Sequence, residues 1–253
     1  MLCDFITKES TLEFLRNVLK CEDSILMDAI DNYWDMQTFL EEINIDLPLI
    51  DINSIEIKSF HITTSVDNCK SLNEKGLLSA RGVFLQESSL SNFLNENGIT
   101  IDLDGDDFYL CWEENQLKIE TRADVEDFHL RLDIGKLHTS FNSDNYPWGF
   151  IHKDEQREYS CVLRVCEIID TIERITKKPI VSKWEKLSRT YKMYFQCFLN
   201  EIYFIEDVRD NGETNENAFE NLVKIAIKIV RNDAEYYCQY YPGIKPYDVE
   251  LVK

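Results

Sequence analysis

Few side chains in this sequence are placed for acid–base or covalent chemistry. The densest group is His61, Thr63 and Cys69, which lie within nine residues. A cysteine nucleophile with a histidine base is one chemistry these types allow, but Cys69 falls in a short segment whose facing direction the sequence leaves open. His129, His138 and His152 form no pair at helical ligand spacing, so no zinc site is expected. Asp102, Asp104, Asp106 and Glu113 have part of the composition of a calcium loop. Asp107 stands where such a loop requires glycine, however, and strand-like runs flank it, so an ordinary solvated turn is expected. The chain has no Gly-rich phosphate loop, no G-x-S-x-G and no H-E-x-x-H.

The element that must position His61 is the stretch Ser54–Ser79. Ile55 and Ile57 share one parity, whereas Phe60 and Ile62 share the other, which predicts a strand with a slip or bulge ending at His61 and Thr63. Asp67 suits a helix N-cap, Leu72 lies in a short helix, and Gly76 sits where a helix needs a left-handed residue. The order is strand, His-x-Thr, short helix, Gly-Leu.

That order resembles the opening of the ADP-ribosyltransferase and NAD-glycohydrolase superfamily. The resemblance covers about two dozen residues. It implies that His61 contacts the adenine-side ribose of NAD, that the Ile62 backbone holds the nicotinamide amide, and that Thr63 completes the motif. Cleavage of the nicotinamide bond passes through a cationic ribose, which needs a nearby carboxylate. The run FLNEIYFI is similar to a strand of the poly-ADP-ribosyl branch, and this places that role on Glu201 in a strand. The family's aromatic partner for nicotinamide has no matching Gly-rich turn here, so Tyr109 is the first candidate and Tyr159 the second. An alternative for His61 is a half-buried ring bonded to backbone.

The flanking chain reads as α+β. Residues 11–43 show two helical faces, through Leu12, Leu15, Val18 and Leu19 and then Ile25, Leu26, Ile30, Trp34, Phe39 and Leu40, and Pro48 stops the second. RGVFLQ is expected as a short strand and SSLSNFLNENG as a helix. ITIDLDGDDFYLCWE is expected as a hairpin through Asp-Gly, with QLKIETR as a third strand. Residues 123–152 are expected as a long loop, with Tyr146 and Trp148 as a plug or a ligand-facing flap. YSCVLRVCEIIDTIERI fits either a strand entering a helix or one buried helix. IVSKWEKLSRTYKMYFQ is expected to be helical, FQCFLNEIYFIEDV a strand, AFENLVKIAIKIV a buried helix, and the last segment two strands about a Pro-Gly turn.

Forty-seven Asp and Glu against 27 Lys and Arg give a net charge of −20, which repels phosphate backbones and disfavours general nucleic-acid or anionic-membrane binding. A local basic groove using Lys58, Lys70 or Arg81 stays open. Eight scattered cysteines without a C-x-x-C pair fit reduced, mostly buried thiols in a cytoplasmic protein. The expected architecture is a helical appendage over residues 1–49 and, over 50–253, an ADP-ribosyltransferase-like domain of split, mostly antiparallel sheets with packed helices. The resemblance implies an intracellular NAD-consuming transferase or glycohydrolase, a toxin or defence effector, with NAD as substrate, no metal and a macromolecular acceptor of unknown identity. The alternative is a non-enzymatic acidic interaction module that keeps the scaffold without the chemistry.

Overall fold

A computed structural model describes residues 1–32, 35–43, 47, 49–120, 125–153, 164–232 and 234–252. The protein is of the mixed α+β class. In chain order the elements are β1 (Leu2–Asp4), α1 (Lys8–Leu19), α2 (Asp23–Asn32), α3 (Met36–Glu42), β2 (Glu56–Ser65), α4 (Lys70–Lys75), α5 (Ala80–Leu85), α6 (Ser89–Glu96), β3 (Ile99–Asp104), β4 (Asp107–Trp112), β5 (Asn115–Lys118), α7 (Phe128–Asn142), β6 (Trp148–His152), α8 (Glu167–Thr176), α9 (Val181–Leu187), β7 (Arg189–Phe198), β8 (Ile202–Ile205), β9 (Arg209–Asp210), β10 (Glu213–Thr214), α10 (Ala218–Asn232), β11 (Tyr236–Tyr240) and β12 (Asp248–Leu251). Single 3-10 turns stand at Ile52–Ser54 and Leu199–Glu201. Trp34, Pro48, Tyr159 and the start of YSCVLRV lie outside the described residues.

Two compact units are each drawn from three segments of the chain. The first comprises Met1–His61, Trp148–Glu158 and Tyr194–Tyr241, and the second comprises Ile62–Pro147, Tyr159–Met193 and Pro242–Lys253. In the first unit the strand order is β10-β9-β8-β11-β6-β2-β7, with β1 lying parallel to β2. The N-terminal segment expected as an appendage is built into this unit. Leu2–Asp4 stands in register with Glu56–Lys58, and α1 packs on α10. The apolar face of α1 (Phe14, Leu15, Val18, Leu19) is buried, as are Phe219, Leu222, Val223, Ala226 and Ile229 of α10. Isolated helices of this length are marginal in water, so the two faces stabilise one another by burial.

Inside this unit Tyr240 of β11 crosses the face of β6 at Gly149 and donates to Ser59 Oγ of β2 at 2.8 Å. Its ring packs against Phe195 with centroids 5.0 Å apart. A Cβ on residue 149 would lie 2.2 Å from the Tyr240 hydroxyl, so only glycine leaves room for this crossing.

The second unit holds the antiparallel meander β3-β4-β5, with Ile99 opposite Trp112 and Asp104 opposite Asp107. Phe93, Ile99, Phe108, Leu110, Ile134, Phe141, Ile172 and Trp184 form its core. The Trp184 indole N–H donates to Thr64 Oγ1 at 2.9 Å, which satisfies its buried polar atom. Val252 N–H donates to Thr190 O, tying β12 to β7.

Three expectations are corrected by local chemistry. RGVFLQ is helix α5, begun by Ser79, whose hydroxyl accepts from Gly82 N–H. Residues 123–152 contain helix α7 and strand β6 instead of one loop. Asp127 caps the amides of His129 and Leu130, and the buried Ile134, Leu137 and Phe141 follow helical spacing, so the turn-forming residues are confined to the segment after Phe141. The helix expected through Gln196 stops at Leu187, because the buried residues Tyr191, Met193, Phe195 and Cys197 alternate with period two and make β7.

Candidate functional site

The parity switch read in the sequence is present in β2. Ile57 and Ser59 are buried, then Phe60, Ile62 and Thr64, with Ser59 and Phe60 adjacent. His61, half-buried, is held by the backbone of β6, with its Nδ1 2.7 Å from Trp148 O. A carbonyl accepts only, so Nδ1 carries the hydrogen and Nε2 is the acceptor atom of the ring. Burial lowers the imidazole pKa below 6.5 and outweighs the opposite pull of the Trp148 carbonyl. At neutral pH this is a neutral ring whose Nε2 suits a hydroxyl donor such as a ribose.

Glu201 stands elsewhere in the same unit. The FLNEIYFI run is not one strand, since the 3-10 turn Leu199–Glu201 interrupts it between β7 and β8. The exposed Glu201 carboxylate accepts from Phe198 N–H at 2.8 Å. Arg209, buried, donates to Ile202 O at 2.5 Å and Asn200 O at 3.4 Å, which pins the turn. Leu199 N–H donates to Ile55 O, so this turn sits at the start of β2. His61, on β2, lies six residues beyond Ile55. The side chains of Glu201 and His61 bond to different partners, the Phe198 amide and the Trp148 carbonyl.

Ile62, Thr63 and Tyr109 belong to the second unit, Ile62 buried and the other two half-buried. Tyr159 lies outside the described residues. Gly76 ends α4 with a positive φ of +79°, as expected, though its ψ of −179° lies outside the left-handed helical region, and its position is also a backbone crossing: Leu77 N–H donates to Ile244 O and Gly243 N–H to Leu77 O. Asp67 acts as an early cap by accepting from Ser71 N–H at 2.9 Å, although the N-cap position itself is Cys69. Burial pushes the Asp67 carboxyl up, but the hydroxyls of Ser65 and Ser71 and the Ser71 amide together hold it below its ordinary value. Cys69 is fully buried and burial pushes its thiol up to about 11, the opposite of an activated nucleophile.

The three cations considered for a basic groove are each near a carboxylate. Lys58 pairs with Asp4 at 2.7 Å, Lys70 is 4.0 Å from Glu74, and Arg81 is 3.9 Å from Asp106. A groove of about 620 Å³ beside α4 and α6 is lined by Asp67, Glu74, Glu87 and Glu96 against Lys70 and Lys75, a poor setting for a pyrophosphate. Among the described residues no three His, Cys, Asp or Glu side chains gather as they would to hold a metal ion, and no helix is long and apolar enough to cross a membrane.

No family model, curated protein or solved structure matches this chain.

A feature missed in the sequence lies on the sheet of the first unit. Its strand registers align two side-chain rows. Phe60, Phe150 and Tyr237 make one, with ring centroids 5.3 and 5.2 Å apart, and Trp148, Gln239 and Phe204 make the other, with the Trp148 and Phe204 rings 6.4 Å apart. Trp148 is 43% exposed and Tyr237 40%, Phe150 and Phe204 are half-buried, and Phe60 at the end of its row is fully buried, while Gly149, Ile151, Cys238 and Tyr240, at the alternate positions, are buried. Lys153 Nζ stands 4.7 Å over the Phe150 ring, a cation–π contact. The alternation of Trp148-Gly149-Phe150-Ile151 was the available signal.

Proposed function

We propose that this chain is a non-enzymatic, acidic protein-interaction module on a scaffold that resembles the ADP-ribosyltransferase superfamily. The observation that carries this reading is the distribution of charge. The first unit holds 25 Asp and Glu against 10 Lys and Arg, so −15 of the net −20 resides there. A field of that sign steers basic partners toward it and repels nucleic acid.

The NAD-consuming reading keeps one supporting observation, the neutral His61 with Nε2 as acceptor at the end of a His-x-Thr strand. Against it stands the placement of Glu201. A carboxylate must lie within a few ångströms of the ribose cation to stabilise it, whereas the Glu201 carboxylate is tied back to its own turn by the Phe198 amide. The test is nicotinamide release from NAD by the purified chain beside Glu201→Gln, with anisotropy of a labelled arginine-rich peptide at physiological salt. The module reading expects no release, no NAD-induced rise in melting temperature, and saturable peptide binding that weakens as salt rises. Nicotinamide release that vanishes in Glu201→Gln, or no peptide binding at all, overturns it.

A further inference from the structure

We infer that the aromatic rows of the first unit are the docking surface, and that their occupant is an extended basic segment with Arg or Lys at alternate positions. This rests on the interaction-module reading and names its partner. Three observations converge. The exposed side of β6 and β11 presents the faces and edges of Trp148, Phe150, Tyr237 and Phe204, and aromatic faces attract guanidinium and ammonium groups. The chain's own Lys153 already places an ammonium over Phe150, so the surface receives a cation in the folded protein. A carboxylate stands at its edge: Glu235 accepts from the Tyr237 hydroxyl at 2.7 Å, within a unit whose charge is −15.

The spacing defines the partner further. Residues of one row are two positions along each strand from those of the other, or about 6.6–6.8 Å. An extended peptide lying along the strands places its i and i+2 side chains at the same interval. Arg-x-Arg in a strand-like conformation therefore sets one guanidinium on each row, whereas two adjacent arginines of equal charge send one of them away from the sheet.

The experiment uses the full chain and two labelled octapeptides of identical composition, six Ser and two Arg, one alternating Arg-Ser-Arg at its centre, the other with its two Arg adjacent. Anisotropy at physiological salt is expected to show the alternating peptide binding more tightly. Trp148→Ala and Tyr237→Ala, both at exposed positions, are each expected to weaken it by about 3- to 20-fold, as loss of one cation–π contact implies, with an unchanged circular-dichroism spectrum. Lys153→Met is expected to tighten binding beyond Lys228→Met, which removes the same charge from an exposed site on α10. If both peptides bind equally and the aromatic variants change nothing, the docking surface is overturned while the acidic-module reading stands. If neither peptide binds, both fall.

Discussion

Replacing Gly149 by alanine tests the packing that closes the first unit. The added Cβ would stand 2.2 Å from the Tyr240 hydroxyl and 2.5 and 2.6 Å from two ring carbons, against the 3.4–4 Å of an ordinary contact. The ring must withdraw by more than an ångström, yet it is fully buried, with Phe195 5.0 Å away and its hydroxyl donating to Ser59. Overpacking of this kind costs about 1–3 kcal/mol. Loss of the Tyr240–Ser59 hydrogen bond adds about 1 kcal/mol, because Ser59 is itself buried. Urea unfolding followed by far-UV circular dichroism should therefore show a loss of about 2–4 kcal/mol. Tyr240→Leu removes the crossing ring, so in that background Gly149→Ala should cost much less, and the double-mutant cycle should give a coupling of about 1 kcal/mol or more. A Gly149→Ala protein within about 0.5 kcal/mol of the parent, a surface-like value, refutes the reasoning.

The second unit offers a parallel case in Gly76→Ala. Its φ of +79° and a Cβ position 2.2 Å from Gly243 O, a backbone atom that cannot swing aside, predict a loss of about 2–4 kcal/mol by the same unfolding assay. Thiol reactivity should divide the cysteines. Cys3, Cys69, Cys197 and Cys238 are buried with raised pKa values and should resist Ellman's reagent until the chain unfolds, whereas the half-buried Cys21 and Cys111 should react first. Stability should also depend on pH through His61. Its folded pKa lies below 6.5, so on acidification the unfolded chain binds the proton first, and stability falls from about pH 6.5 until the folded value is reached. His61→Asn keeps a donor for Trp148 O and should flatten that slope in chemical denaturation at pH 5, 6 and 7.

The parts of the fold written in short-range pattern were legible. The Ile99–Trp112 hairpin, helix α6, the apolar α10 and the Gly76 terminus each follow from neighbours within a few residues. Helix α7 was obscured because the Asn, Asp, Gly and Pro cluster after Phe141 drew the whole region into one loop, although Ile134, Leu137 and Phe141 keep helical spacing. At Glu201, aromatic and β-branched residues favoured a continuous strand, and nothing local announced that Arg209 would fold the chain into a turn there. The alternation of Trp148–Ile151 marked one strand of the aromatic rows, but the rows themselves were hidden for a different reason. Each row collects residues from strands far apart in sequence, and only the strand order puts them side by side.

That same long-range assembly has a consequence for biosynthesis. Tyr240 and Ser59 are 181 positions apart, and the unit they close is interrupted twice by segments that belong to the other unit. Assembly dominated by such distant pairings is slow, and a ribosome adds only about 5–20 residues per second. The early strand β2 therefore emerges and waits, its edges unpaired, for about 4 seconds or more before its neighbour β6 arrives, and longer for β7. During that interval the nascent chain depends on chaperones, or on its own acidity, to keep those edges from finding the wrong partner.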